Sequence, residues 1–448
     1  MVLLTLLSVS LSALVWISGL SDSLERPSVL NDLTLRQLEL STLAGEALPE
    51  DLQPLLVGQN PREDLATALE QQIAAASEPA TALRRLELAL LRRGRDGEAT
   101  DARLRELTEQ VDAQRRPLLE ALVSGQRQTP ETQRQLLAPW SAPLIVQQLS
   151  CEQLGGPESA CPVATEGPAL LLRLAGVAVV PVLLVILGIG LLLREGWLRI
   201  RRRLPEPEPL RGPPLSPLEA TLLIAGGFVV LGEVITPVLL QAPLEALLRW
   251  LAPAPAVGQG VQVVVLYMGL MLAPLTILGL LLRGRGPRPS GGWLQWGWRP
   301  PVGLLLRSTG AVLMVLPLVA LVGWLIEKVW PDPGGSNPLL DLVLTSADPI
   351  ALACFAGTAV VLAPLFEETL FRGVVLPVVG ERLGGGWGVL ISAAVFAIAH
   401  LSLGELVPLF VLGLGLGLLR WRSGRLGASV LMHALWNALT FLNLLLLA

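Results

Sequence analysis

Runs of about 20 consecutive apolar residues recur along this chain, and a run of that length is what a helix needs to cross the hydrocarbon core of a bilayer. No water reaches the backbone there, so each run must satisfy its own N–H and C=O groups, and a helix is the form in which one segment does so. The runs fall at residues 2–20, 168–193, 218–240, 261–282, 302–326, 349–379, 387–403, 406–419 and 426–447. The sequence therefore predicts an all-α protein, a polytopic transmembrane helix bundle of about nine spans. A hydrophobic content of 52% and a mean hydropathy of +0.60 exclude a soluble globule of this length. A net charge of only −4 gives no electrostatic footprint for nucleic acid. The expected setting is an integral, multi-pass protein whose first partner is the lipid bilayer, in the plasma membrane or an equivalent internal membrane of a prokaryote.

Residues 21–167 form the one long polar region. Leu- and Ala-rich stretches with Glu, Arg and Gln, such as 64–93 and 100–123, have helical spacing, and Pro49, Pro54, Pro61 and Gly94 punctuate them. The layout this suggests is an N-terminal anchor or signal segment at 1–20, with an anchor favoured because no basic stretch precedes the apolar run. A small extramembrane helical domain follows at 21–167, then accessory transmembrane helices at 168–330 and a core at 349–447. Arginines follow every second span: Arg194, Arg199 and Arg201–Arg203, then Arg283, Arg285 and Arg288, then Arg382, then Arg420, Arg422 and Arg425. Positive charge marks cytoplasmic loops, which puts residues 21–167 outside. Cys151 and Cys161 fall in that outer region, where a disulfide and two free thiols are equally open readings. The proline-rich stretch 204–215 reads as a stiff linker, and Trp293, Trp296 and Trp298 as interfacial anchors.

Ionisable groups inside a bilayer cost about 2.5–3.5 kcal/mol each on insertion scales and so usually mark function. Here they gather in the last third. Glu367 and Glu368 are adjacent on the sixth span and point about 100° apart. Glu368 lies four residues before Arg372, the favourable order for an ion pair, which leaves Glu367 to face another helix. His400 follows Phe396 by one turn on the next span. His433 and Asn437 share a face of the last span. The chain holds only two histidines, and histidine is the side chain best suited to proton transfer near neutral pH. Taken alone, the acidic motif is also explained as a boundary charge cluster neutralised by Arg372, and each histidine motif as polar glue between helices. Together, a carboxylate and an imidazole facing one water can activate it, and two donors on a rigid helix suit an oxyanion. Two histidines and a carboxylate could instead hold zinc with an open water position; the His-Glu-x-x-His spacing is absent. Arg307, near the inner end of the fifth span, reads as an interfacial residue, and Glu233 in the third span is open to two readings, lining the active-site cavity or pairing with a neighbouring helix.

The ordered trio Glu367-Glu368-x-x-x-Arg372, Phe396-x-x-x-His400 and His433-x-x-x-Asn437 resembles the three motifs of the CPBP family of intramembrane proteases, which includes type II CAAX prenyl endopeptidases and lysostaphin-resistance-like proteins. The resemblance covers residues 349–447. It implies an endopeptidase that hydrolyses a peptide bond of a membrane-associated protein or peptide. In that scheme Glu367 activates water with help from His400, Glu368 and Arg372 hold the acidic motif, and His433 with Asn437 stabilises the oxyanion. Two cofactor readings stay open: zinc held by His400, His433 and Glu367, or a metal-free glutamate mechanism. Residues 21–167 offer a surface for substrate or a partner. The competing functions are a proton-coupled transporter using Glu367, His400 and His433 as a relay, and a non-catalytic scaffold or immunity factor on the same fold.

Overall fold

A computed structural model describes the chain except for residues 26–28, 76–80, 94–96, 156–160, 205, 207–208, 287–290, 331–334 and 336. Gly94, Arg288 and the centre of the proline-rich linker thus lie outside the described residues. Two units compose the rest, residues 1–29 with 182–446 and residues 30–181. Among the described residues all regular structure is helical.

Nine apolar helices carry the architecture: α1 (Val2–Ser23), α2 (Pro162–Ile200), α3 (Pro217–Leu251), α4 (Pro255–Leu282), α5 (Pro301–Val329), α6 (Pro349–Leu383), α7 (Gly385–Ile398), α8 (Leu406–Ser423) and α9 (Leu426–Leu447). Among the described residues, eight are long and apolar enough to cross a membrane. The protein is an integral, multi-pass membrane protein built as a helical bundle. The exception is α7, with 14 residues. At 1.5 Å per residue it reaches only about 21 Å, short of a hydrocarbon core. Its predicted span ran to residue 403, but the helix stops at Ile398 and the chain turns through His400, with Leu401 in the left-handed region at φ 49°.

Local sequence explains where the helices start. Proline occupies the first turn of α2, α3, α4, α5 and α6, where its missing N–H costs no hydrogen bond. Ser216 and Glu219 close a reciprocal capping box at the start of α3. The Asp348 carboxylate accepts from the N–H groups of Ile350 and Ala351 at 2.8 and 3.0 Å and opens α6.

Lipid tails are as apolar as leucine, so burial alone does not drive these helices together; close packing and buried polar bonds must. Small residues supply the packing. Gly413 on α8 lies where a Cβ would come within 3.1 Å of the Ala393 backbone on α7, and Gly417 meets Val389 in the same way one turn later. An aromatic cluster fills the centre, with Phe228, Phe366, Phe371 and Phe396 in successive edge and tilted contacts. Two stretches of α6, Gly357–Leu362 and Phe371–Val375, and one of α3, Leu223–Ile235, widen to i→i+5 hydrogen bonding. Such widened turns recur at functional sites.

The second unit is a helical domain whose core is mostly leucine, including Leu35, Leu65, Leu86, Leu104, Leu118 and Leu149. Cys151 and Cys161 are joined in a disulfide. Glu87 is buried without solvent contact and accepts from Arg84 at 3.0 Å, while Arg84 also donates to Glu39 at 2.6 Å. Burial pushes the Glu87 carboxyl up to about 8, with the charge of Glu39 adding to it and Arg84 opposing it. A carboxyl raised on folding holds its proton more tightly in the native state, so its contribution is present below the unfolded pKa and is lost as pH rises towards 8. Amide hydrogen exchange in helix Ala82–Arg92, corrected for intrinsic rate, is expected to lose protection between pH 5 and pH 8, and Glu87→Gln to flatten that dependence. Equal protection at both pH values in the unaltered protein would contradict it.

Candidate active site

The acidic motif sits on α6 where a regular turn gives way to the widened one. Glu368 points inward, and its side chain and that of Arg372 are fully buried. One oxygen of Glu368 accepts from Arg372 at 2.9 Å and from His433 Nδ1 at 3.0 Å. Arg372 also donates to the Gly413 carbonyl of α8 at 3.0 Å and lies 4.4 Å above the Phe396 ring. One ion pair thus ties α6 to α7, α8 and α9. Arg420, another fully buried arginine, donates through Nε to the Arg372 carbonyl at 3.3 Å and through Nη2 to the Gln295 side chain at 2.9 Å. That bond supports the backbone of the widened turn, whose i→i+5 pattern leaves carbonyls to be satisfied from outside.

Glu367 leaves the same helix in the other direction. Its Oε1 accepts from the Tyr267 hydroxyl of α4 at 3.1 Å. Its Oε2 is buried, makes no hydrogen bond among the described residues, and stands 4.0 Å from His400 Nε2. His400 Nδ1 lies 2.8 Å from the Phe396 carbonyl. A carbonyl only accepts, so Nδ1 carries the hydrogen and the neutral ring presents its lone pair at Nε2. A water making hydrogen bonds of about 2.8 Å to both groups would fit that 4.0 Å separation.

Phe396 separates the two imidazoles, with ring centroids 4.6 Å from His400 and 5.8 Å from His433. His433 is committed through Nδ1 to Glu368, leaving Nε2. Asn437 donates from its amide to the Ala359 carbonyl at 2.8 Å, which anchors α9 to the widened turn at Gly357–Leu362. The residues expected as paired oxyanion donors therefore each spend one polar atom on a neighbouring helix. Each keeps one further N–H or nitrogen for a ligand.

Tyr267 has no place in the sequence reading. The signal was available, for it is the single tyrosine of the chain and lies in an apolar span. Its distance from Glu367, 100 residues on, was not. Glu233 of α3 lies within electrostatic reach of Glu367, and its Oε2 makes no hydrogen bond among the described residues. Of the two readings open for Glu233, this position on the edge of the site favours the cavity-lining one. Arg307 is exposed on α5, and no interaction links it to Glu367 or the histidines.

The zinc set of His400, His433 and Glu367 does not come together as ligands. Phe396 packs against both rings, and among the described residues no group of three His, Cys, Asp or Glu side chains is gathered to hold a metal ion. Each imidazole engages Nδ1, with Glu368 or a carbonyl, and leaves Nε2, an arrangement that metal-ligating histidines share.

Comparisons with known proteins match two separate stretches of the chain. Residues 30–172 match a family described as Domain of unknown function (DUF8675). An 81-residue stretch is 44% identical to the Uncharacterized 24.3 kDa protein of Escherichia coli, covering 17% of this chain and 37% of that protein. The chain thus spans well under half the length of that curated relative. No solved structure matches the chain. Residues 349–439 match the Type II CAAX prenyl endopeptidase Rce1-like family, so the segment that holds all three polar motifs is similar to the CAAX proteases they resemble.

Proposed function

We propose that the chain is an intramembrane endopeptidase that hydrolyses a peptide bond of a membrane-associated protein or peptide. The observation that carries this reading is the buried, unbonded oxygen of Glu367 facing the lone-pair nitrogen of His400 across 4.0 Å. Water held between them loses a proton to Glu367 as its oxygen attacks the scissile carbonyl. His400 orients that water through Nε2. The oxyanion is met by the second amide N–H of Asn437 and, in the ring form that carries hydrogen on both nitrogens, by His433 Nε2–H, and Glu367 returns the proton to the leaving amine as the C–N bond breaks. Tyr267 holds the Glu367 carboxylate in the rotamer that faces His400. Glu368 and Arg372 keep α6 and His433 in register and touch no substrate.

We read the reaction as glutamate-driven, in keeping with a donor set that gathers no three ligands. Access is taken to be from the side of the arginine-rich loops, and residues 21–167 are assigned to substrate or partner docking.

Two tests follow from these roles. Membranes of cells carrying Glu367→Gln are expected to accumulate an uncut precursor, with turnover lowered about 10²–10⁴-fold, the scale of a lost general base. Tyr267→Phe removes one hydrogen bond to a charged group and is expected to slow cleavage roughly ten- to hundredfold. Full processing by Glu367→Gln would leave a scaffold on the protease fold as the better explanation. Chelation is the second test: exhaustive treatment of purified protein should leave the rate unchanged, and a loss of rate restored by zinc would overturn the glutamate-driven reading.

A further inference from the structure

A cavity with a volume of about 1180 Å³, whose lining does not include Glu367, lies between α2, α5 and α8. Its shape follows from where the helices touch. Gly188 of α2 is pressed against the Leu313 carbonyl and Pro317 of α5, leaving no room for a Cβ, and Gly415 of α8 is pressed against Val315 in the same way. From that crossing α2 and α5 diverge, and a Cβ on Gly310, which lines the gap, would meet nothing within 4 Å. The result is a wedge, narrow at the helix crossing and open at the arginine-rich end.

Its two ends differ in chemistry. The deep part is apolar, lined by Met314, Val411 and Leu418 among others. The open end carries five arginines, Arg194, Arg199 and Arg203 at the end of α2, Arg307 on α5 and Arg422 on α8, against two glutamates, Glu195 and Glu206. Five against two leaves a surplus of three positive charges. One glutamate is spent on Arg422, 3.5 Å away. Among the described residues Arg194, Arg199, Arg203 and Arg307 form no ion pair, and Arg194, Arg199 and Arg307 are exposed. Trp197 stacks with Arg201 at 4.5 Å beside this end, as an indole does at headgroup level.

We infer that this wedge is a binding site for an anionic phospholipid, with its phosphate among Arg194, Arg199, Arg203 and Arg307 and an acyl chain laid into the cleft between α2, α5 and α8. The occupant must be both anionic and long-chained. A zwitterionic lipid meets an uncompensated positive rim, and a soluble phosphate leaves the apolar cleft unfilled. Basic pockets between transmembrane helices select such head groups through charge and hold them through the chain. The site is independent of the proposed peptidase chemistry.

The test uses the full chain reconstituted in nanodiscs, with photoactivatable phosphatidylglycerol or phosphatidylcholine carrying the reactive group on the acyl chain and labelled residues located by mass spectrometry. Phosphatidylglycerol is expected to label residues 306–318 and 411–418 at least several-fold more than phosphatidylcholine. Arg199→Gln with Arg307→Gln, both exposed and remote from Glu367, should lower that labelling about fivefold for each charge removed. Gly310→Leu should lower it by filling the cleft while the charges stay. Equal labelling by both lipids, or labelling untouched by the arginine pair, overturns the site. Displacement of the lipid by excess glycerol phosphate would also overturn it, by assigning the arginines to a soluble anion.

Discussion

The Glu368–Arg372 pair is the interaction on which the rest of the core depends. Both side chains are sealed from solvent, and they fix four helices at once through Gly413, Phe396 and His433. Within one buried pair the mutual attraction roughly offsets the desolvation of both ions, but breaking it strands a charge and costs about 3–5 kcal/mol. Its contribution is thus specificity: it admits one register of α6 against α8 and α9 and penalises the others. In a membrane, where lipid competes with every apolar contact, such a device is the means by which one packing is chosen.

That register decides what Glu367 can do. Adjacent residues on a helix point in different directions, so burying Glu368 against Arg372 turns Glu367 towards α4 and the His400 turn. The widened turn that begins at Phe371 shifts the residues beyond it relative to a regular helix, and the Arg420 bond to the Arg372 carbonyl holds that shift. The two carboxylates are chemically alike and differ only in what the bundle sets against them. Each keeps one buried oxygen without a hydrogen-bond partner; Glu368 spends its other oxygen on Arg372 and His433, while Glu367 sets its free oxygen 4.0 Å from His400 Nε2.

Much of this could be read from the sequence because it depends on local spacing. Span lengths follow from apolar runs, helix starts from proline and capping residues, and the Glu368–Arg372 pair from the i, i+4 rule. What could not be read depends on distance through space. Tyr267 and Glu367 are 100 residues apart, and nothing in either neighbourhood encodes their meeting. The early end of α7 follows from a turn at His400 and Leu401 that contains no glycine or proline to announce it. Asn437 shares a helical face with His433, as its spacing requires, yet its amide is taken up by a carbonyl freed on α6. The residues read as a zinc set are likewise related through space in a way their spacing does not announce, with Phe396 packed against both imidazoles.

One feature of the site extends beyond catalysis. The chain contains a single tyrosine, and its hydroxyl rests on Glu367. Biosynthetic replacement of tyrosine by a singly fluorinated analogue would place one fluorine nucleus in this chain, on the ring whose hydroxyl bonds that carboxylate. Its resonance would report the ionisation of Glu367, the arrival of substrate and any exchange between conformers in intact membranes. No assignment would be needed, and no second signal would compete with it.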